Sequence, residues 1–166
     1  PLDGTKEFIK KNGEFTVNIA LIDGGKPIMG VVYAPALSKS YVGVVGQGAW
    51  TETAEGVNSI SAKPHQPGEL WKVVGSRSHQ SPEIQNLLAQ LEGETELVAM
   101  GSSLKLCLVA EGEAHLYPRL GPTSEWDTGA AHAVALAAGA DVTVLDAADP
   151  LNSDAEALTY NQKESV

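Results

Sequence analysis

The sequence has little positive charge. Its 166 residues include 11 lysines and arginines against 21 aspartates and glutamates, which gives a net charge of −10 at pH 7. A protein that binds polymeric nucleic acid needs a basic face for the phosphate backbone, so this composition argues against that class of ligand. A small phosphorylated ligand stays compatible with it, because metal ions and a few well-placed cations reverse the local field.

Cysteine and long apolar runs are also scarce. The single cysteine, Cys107, excludes an internal disulfide, and its apolar surroundings in the sequence indicate a core residue in a reducing compartment. No apolar run is long enough to span a bilayer, and the first residues carry no signal-peptide pattern. Hydrophobic residues make up 43% of the chain, which suits one domain or a large part of one.

The first third of the chain has the pattern of an antiparallel meander. Apolar residues alternate with polar or small ones over 15–21, which predicts a strand with one apolar face. Asp23-Gly24-Gly25 predicts a hairpin turn, and Pro35 should end the return strand. The predicted strands that follow cover 28–33, 41–45 and 49–51, and the polar, turn-rich residues 52–68 predict a surface excursion.

Strand and helix patterns alternate in the second half, which predicts an α/β (α+β) fold with mixed sheets. Ser81 before Pro82 is a good helix start, and Ser102 or Ser103 is expected to cap another helix. Gly112 and Gly139 are expected to end helices. The predicted strands are 70–74, 95–99, 114–117 and 142–145, and the predicted helices are 82–91, 104–111 and 128–138.

Two short stretches carry carboxylates in positions that suit a metal site. Leu2-Asp3-Gly4-Thr5 joins a carboxylate, a glycine and a hydroxyl, and Trp126-Asp127 opens an alanine-rich helical segment. Mg²⁺ prefers oxygen ligands and keeps waters or substrate phosphates as its other ligands. Each stretch also has an ordinary interpretation, since Asp-Gly is a common turn dipeptide and Asp127 suits the N-cap of the helix.

Together the two stretches resemble the signature motifs of the inositol monophosphatase family. Those motifs read D-P-L-D-G-T and W-D-x-A-A-x-H, against P-L-D-G-T at residues 1–5 and W-D-T-G-A-A-H at residues 126–132 here. The resemblance implies a Mg²⁺-dependent, lithium-sensitive phosphatase with a layered α-β-α-β-α sugar-phosphatase fold. It also implies a fragment of one domain, the C-terminal two-thirds, without the leading aspartate and an upstream glutamate. Residues 1–62 would hold the first motif and the meander, 69–145 the α/β half, and 146–166 a tail.

The resemblance assigns roles to the motif residues. Asp3, Asp127 and the Leu2 carbonyl would bind the metal ions, and Thr5 would orient the attacking water. Asp3, Thr5 and Asp127 are therefore the expected catalytic residues. Leu2, Gly4, Thr5 and Asp127 are also expected to contact the substrate, the Gly4 backbone through its phosphate. Thr5 as a plain turn hydroxyl is the alternative, and the histidine of the second motif is expected to pack or cap.

Further residues bear on the substrate. Gly101-Ser102-Ser103-Leu104-Lys105, Tyr117-Pro118-Arg119 and Ser76-Arg77-Ser78-His79 are similar to segments of the family's 3′(2′),5′-bisphosphate nucleotidase branch. That similarity implies that Ser102, Lys105 and Arg119 contact the nucleotide and its second phosphate, with His79 nearby. A doubly phosphorylated substrate needs cations beyond the metals. Taken singly, Ser102 suits a helix cap, Lys105 and Arg119 suit surface charges, and His79 suits an exposed loop.

Two classes of function follow. The first is a hydrolase that removes the 3′-phosphate of adenosine 3′,5′-bisphosphate in sulfur assimilation, with an inositol or sugar monophosphatase as the alternative. The second is a non-catalytic fragment or subunit that needs a missing N-terminal part as its partner. The resemblance implies a cytoplasmic protein, either free or peripheral on the cytoplasmic face of the inner membrane.

Overall fold

A six-stranded antiparallel sheet forms the first half of the computed structural model, which describes residues 2–75, 81–146, 149, 152 and 154–162. Neighbours in sequence are neighbours in the sheet, as in a meander. Helix α1 (Thr5–Lys10) lies between the first two strands. The strands are β1 (Leu2–Asp3), β2 (Thr16–Asp23), β3 (Lys26–Ala34), β4 (Lys39–Val44), β5 (Gly48–Thr53) and β6 (Gly56–Ile60).

The predicted meander is confirmed, with one correction at its end. Gly24 and Gly25 make the β2–β3 turn with φ of 53° and 79°, a conformation that favours glycine. The surface excursion predicted for 52–68 is wrong for its first part, because residues 56–60 form β6 and pair with β5, while residues 61–68 lie outside helices and strands. All but the last residue of β6 are exposed, so this edge strand is held by backbone hydrogen bonds and carries no apolar alternation that sequence patterning could detect.

Two helices lie between this sheet and a second, parallel pair of strands. Helix α4 (Glu125–Ala137) packs on β2, β3 and β4, while α3 (Leu104–Ala110) packs on α4 and on β7 (Trp71–Gly75). None of the helices in the described ranges has the length and apolar character needed to cross a membrane. The elements of this half are β7 (Trp71–Gly75), α2 (Pro82–Leu88), β8 (Thr95–Ala99), α3 (Leu104–Ala110) and α4 (Glu125–Ala137).

The layered α/β prediction is confirmed, but several boundaries are wrong. Residues 114–117 contribute a single bridge to β7, because Pro118 cannot donate the next ladder bond. Residues 142–145 likewise form one bridge, between Thr143 and Ala157. Helix α2 ends at Leu88, and α4 begins at Glu125, ahead of the predicted residue 128.

Glycines allow α4 to lie directly on the large sheet. A Cβ at Gly30 would overlap the carbonyl oxygen of Ala130, and one at Gly43 would lie 2.5 Å from Val134 Cα. Both glycines face the helix because they are paired across β3 and β4. The hydrophobic core that includes this interface also contains Cys107 of α3, which is completely buried, as its sequence context predicts.

A contact between α4 and the tail is made by His132, which packs in the interior as expected. Its side chain is buried, and its Nδ1 lies 2.8 Å from the Tyr160 hydroxyl. Tyr160 in turn donates to Thr128 Oγ1 at 3.1 Å, and its backbone N–H donates to the Gly25 carbonyl at 2.8 Å. The tail is thereby tied to both α4 and the β2–β3 turn.

This contact predicts an acid-sensitive fold. Burial lowers the pKa of His132 to about 4, with the nearby Asp141 charge opposing the shift. As the pH falls, His132 is therefore protonated near pH 6.5 in the unfolded chain but only near pH 4 in the folded chain. The contribution of neutral His132 to the free energy of unfolding is complete above pH 6.5 and is lost as the pH drops towards 4. The loss is about 3 kcal/mol, at 1.36 kcal/mol for each unit of pKa difference between the folded and unfolded chain.

Urea unfolding at pH 7 and pH 4.5 measures the effect. His132→Gln keeps an amide donor for Tyr160 but cannot titrate, so its stability should change less between the two pH values than that of the unmodified chain. His65→Gln removes a histidine outside this contact and should keep the full dependence. Equal pH dependence in the unmodified chain and His132→Gln would contradict the assignment.

Candidate active site

A cavity of about 1190 Å³ opens where β1, the start of α4 and the turn before α3 meet. Residues from the two predicted motifs and from the predicted substrate-binding set line the same cavity, although they are far apart in sequence. Those lining residues are Asp3, Gly4, Thr5, Ser102, Lys105, Arg119 and Asp127. The structure therefore brings these seven predicted residues together. Leu2 is not among the lining residues, and His79 lies outside the described residues.

Asp3 is a partly buried carboxylate at the end of β1. Burial raises its pKa, and the negative charge of Asp127 raises it further, while a hydrogen bond from the Ser103 N–H opposes both. That bond joins Ser103 N to Asp3 Oδ2 at 2.6 Å. Because burial and like charge both disfavour the ionised form, a cation placed between Asp3 and Asp127 would be bound favourably.

Asp127 is the third residue of α4, and its carboxylate also stabilises the helix end. Oδ2 accepts a hydrogen bond from the Ser124 N–H at 3.0 Å, in a capping box with Ser124. The alternative interpretation of Asp127 as the N-cap residue is thus wrong in position, since Ser124 occupies that place. It is right that the side chain supports the helix, and this role coexists with a place on the cavity wall.

The remaining residues of the first motif form a tight turn from strand to helix. Gly4 has φ 90°, and a Cβ there would lie 3.2 Å from both the Glu14 carbonyl oxygen and Phe15 Cα. Thr5 is the first residue of α1 and is exposed to the cavity. Leu2 pairs with Val17 in the sheet, directly before Asp3. The turn places residues 3–5 along one side of the cavity, whereas Leu2, whose carbonyl is predicted to bind the metal, is not among the lining residues.

The turn before α3 carries Ser102 to the cavity, and the first turn of the helix carries Lys105 there. Ser102 has φ 50°, and its Oγ is buried without a hydrogen-bond partner among the described residues. Ser103 occupies the predicted N-cap position of α3, but neither serine makes a side-chain capping bond to the helix. A buried hydroxyl without a partner is unusual in a native protein and suggests a missing ligand or water.

Lys105 and Arg119 place two cations on the cavity. Lys105 is partly buried, and burial lowers its pKa, as does the charge of Arg119, while Asp3 opposes both. Its Nζ donates to the Ser102 carbonyl at 3.3 Å and lies 5.7 Å from the centre of the Tyr117 ring. Arg119 donates from Nη2 to the Pro122 carbonyl at 2.9 Å. The surface-charge alternative therefore does not describe Lys105.

Two residues of the site were not singled out for a role in it by the sequence. Ser103 was considered only as a helix cap, but its N–H binds Asp3. The sequence motif that contains Tyr117 gives it no role of its own, but its ring lines the cavity beside Lys105. The sequence feature that could have indicated Ser103 as a site residue is the pair of serines before a helix. For Tyr117 it is the position directly before Pro118-Arg119.

The donor set suits a hard cation that keeps other ligands. In the described part of the chain, no three His, Cys, Asp or Glu side chains come together at one point that could hold a metal ion. Mg²⁺ typically takes only one or two protein carboxylates and completes its shell with waters and substrate phosphates. Asp3, Asp127 and a backbone carbonyl are all oxygen donors, so the residues fit Mg²⁺.

Curated relatives with similar sequences are bacterial nucleotidases. The chain is 58% identical over 142 residues to the 3′(2′),5′-bisphosphate nucleotidase CysQ of Escherichia coli K12, covering 86% of this chain and 56% of that protein. It is 48% identical over 146 residues to the protein of the same name in Buchnera aphidicola, covering 86% and 52%. The chain thus spans little more than half the length of these relatives.

Solved structures agree with this placement. CysQ from Bacteroides thetaiotaomicron matches with a TM-score of 0.75 and 45% identity, over 84% of this chain and 57% of that one. SuhB of Mycobacterium tuberculosis matches with a TM-score of 0.72 and 26% identity, over 89% and 61%. The sequence profile of the inositol monophosphatase family matches residues 1–165, and the chain belongs to that family.

Proposed function

We propose that the protein is a Mg²⁺-dependent phosphomonoester hydrolase that converts adenosine 3′,5′-bisphosphate to AMP and phosphate in sulfur assimilation. One observation carries the proposal: the charged side chains that line a single cavity include the carboxylates of Asp3 and Asp127 together with the cations Lys105 and Arg119. The nucleotidase relatives, at 58% identity in the example from E. coli, support the same substrate.

The carboxylates and cations suit two different parts of such a substrate. Asp3, Asp127 and the Leu2 carbonyl would hold Mg²⁺, which, when bound, neutralises phosphate charge and acidifies a water. Thr5, exposed to the cavity at the start of α1, would orient that water through its hydroxyl. The Gly4 backbone would lie against the phosphate that is removed.

Lys105 and Arg119 would hold the phosphate that is not removed. Burial lowers the pKa of Lys105, and the positive charge of Arg119 lowers it further. A second phosphate relieves that repulsion, whereas an inositol monophosphate leaves it in place. The unpartnered Ser102 hydroxyl lies in the same cavity and would donate to the nucleotide.

We also propose that a further polypeptide segment completes the enzyme. The outer face of the large sheet, away from α4, exposes large apolar side chains, among them Ile19 (62% exposed), Leu21 (49%) and Tyr33 (41%). A continuous apolar sheet face of this kind normally packs against another element. The longer relatives have additional chain outside the matched region, and a corresponding segment would cover this face and add metal ligands.

The test is an assay of the chain alone and of the chain coexpressed with the unmatched part of the E. coli relative, which we call the assembled enzyme. Phosphate release from adenosine 3′,5′-bisphosphate is expected only from the assembled enzyme with Mg²⁺, and at a higher kcat/KM than from inositol 1-phosphate. Preference for the inositol ester would reject the nucleotidase assignment. Robust turnover by the chain alone would reject the need for a further segment.

Lys105→Gln tests which phosphate the lysine contacts. A hydrogen bond to a charged group contributes about 1.5–3 kcal/mol, and each 1.36 kcal/mol is about tenfold in rate. We expect kcat/KM for adenosine 3′,5′-bisphosphate to fall about tenfold to hundredfold, and kcat/KM for 3′-AMP, which lacks the 5′-phosphate, to fall much less. Lys26→Gln, in the exposed β2–β3 hairpin, is the control. Equal losses on the two nucleotides would contradict the assignment.

We propose that the enzyme is free in the cytoplasm and is not attached to the cytoplasmic face of the inner membrane. A net charge of −10 opposes binding to the anionic lipids of a cytoplasmic leaflet. Recovery of the protein in the membrane pellet after cell fractionation, and its release by salt, would instead support the peripheral alternative.

A further inference from the structure

Ser103 contacts two adjacent strands at once. Its backbone N–H donates to Asp3 Oδ2 on β1 at 2.6 Å. Its hydroxyl lies 2.7 Å from Thr16 Oγ1 and donates to Asn18 Oδ1 at 2.7 Å, both on β2. Asp3 and Thr16 are direct cross-strand partners, so one residue joins the turn before α3 to the carboxylate and to the strand that supports it.

The three side chains form a closed ring of hydrogen bonds. Asn18 Nδ2 donates to Thr16 Oγ1 at 3.2 Å, and the Ser103 hydroxyl donates to Asn18. The remaining bond, between Thr16 and Ser103, then takes the Thr16 hydrogen. Each donor is used once, so the ring has a single consistent direction. Thr16 is fully buried and Ser103 is 4% exposed, which makes these bonds costly to break.

The ring takes the place of a helix cap. Ser103 occupies the N-cap position of α3, yet its side chain makes no capping bond. A serine cap normally stabilises a helix by about 0.5–2 kcal/mol. The hydroxyl is instead turned towards β2, which fixes the peptide that carries the Ser103 N–H.

We propose that Thr16, Asn18 and Ser103 are positioning residues that orient Asp3 for metal binding. The inference deepens the proposed function, because it concerns the metal site of that reaction. A carboxylate has two oxygens, and a hydrogen bond to Oδ2 fixes the plane in which Oδ1 meets a cation. Partners of this kind around a metal ligand typically change metal affinity by about 10–100-fold.

Thr16 offers a clean test because its substitution leaves the cavity lining untouched. Thr16→Val keeps the shape and removes the hydroxyl, whereas Thr16→Ser keeps the hydroxyl. Thr51→Val makes the same exchange at another buried threonine of the sheet and is the matched control. Ser103→Ala is a second variant, which breaks the ring from the other side and keeps the backbone N–H.

Two measurements on the assembled enzyme, with this chain ¹⁵N-labelled, decide the matter. The chemical shift of the amide proton at position 103 should move upfield in Thr16→Val and Ser103→Ala. It should stay in place in Thr16→Ser and Thr51→Val. Calorimetric titration with Mg²⁺ should show about tenfold weaker binding or more in the first two variants only. Urea midpoints separate these effects from a general loss of structure.

The outcomes distinguish this inference from the proposed function. If Thr16→Val leaves the Ser103 amide shift and the Mg²⁺ affinity unchanged, the positioning role is overturned. If the unmodified enzyme binds Mg²⁺ but releases no phosphate from adenosine 3′,5′-bisphosphate, the proposed function fails. In that second case the amide shifts and Mg²⁺ affinities of the variants still test the positioning role.

Discussion

Replacing Asp127 with asparagine is expected to reduce Mg²⁺-dependent phosphate release by about 1000-fold or more in the assembled enzyme. The metal supplies several kcal/mol of charge stabilisation to such a reaction, and each 1.36 kcal/mol is about tenfold in rate. An amide oxygen is a much weaker Mg²⁺ ligand than a carboxylate, so most of this stabilisation should be lost.

The asparagine substitution separates the proposed catalytic role of Asp127 from its structural role. Its Oδ1 can still accept the hydrogen bond that Asp127 Oδ2 receives from the Ser124 N–H at 3.0 Å. The capping box of α4 is therefore largely kept, and the urea midpoint should move little. Asp127→Ala removes both functions and should lower stability as well, by about 0.5–2 kcal/mol, the range for a lost cap.

A carboxylate outside the cavity provides the control for Asp127→Asn. Asp23→Asn removes a carboxylate from the exposed β2–β3 hairpin, where it does not line the cavity, and should leave the rate unchanged. Asp3→Asn should match Asp127→Asn in its effect, and the double variant should be little worse than either, because residues that act as a unit are not additive. Retention of Mg²⁺-dependent turnover in Asp127→Asn would overturn the metal-site assignment.

The sequence was sufficient for features that depend on short stretches of chain. Asp3 and Asp127, which the structure places on one cavity, each lie in a motif of adjacent residues, and the hairpin at Gly24-Gly25 follows from local turn chemistry. The start of α4 is also open to prediction, since Ser124-Glu125-Trp126-Asp127 has the spacing of a capping box. The predicted start at residue 128 is too late, because it leaves Asp127 outside a helix that begins at Glu125.

Contacts between distant segments could not be predicted in the same way. Ser103 meets Thr16 across 87 residues, and neither residue type at either position indicates the other. The alternation in β2 predicted a strand but not which face would be buried. In the structure the face with Ile19 and Leu21 is exposed, while Thr16 is buried beside the α3 turn.

Gly30→Ala is expected to be the most destabilising single-methyl change in the large sheet. The added Cβ would overlap the Ala130 carbonyl oxygen, which belongs to the backbone of α4 and cannot swing aside like a side chain. Overpacking costs about 1–3 kcal/mol, occasionally more, and a backbone neighbour places this site at the upper end. Urea unfolding with an unchanged m-value measures the loss.

The same substitution also tests how the fold positions the site. Helix α4 can relieve the overlap only by moving away from β3, and that movement carries Asp127 away from Asp3, so kcat should fall together with stability. Gly121→Ala is the control for stability, because a Cβ there meets only the end of the Arg119 side chain at 4.0 Å and the backbone has no positive φ. It should be neutral or slightly stabilising through the unfolded state. A Gly30→Ala protein as stable as Gly121→Ala and as active as the unmodified assembled enzyme would show that the contact between α4 and β3 is not what holds the two carboxylates together.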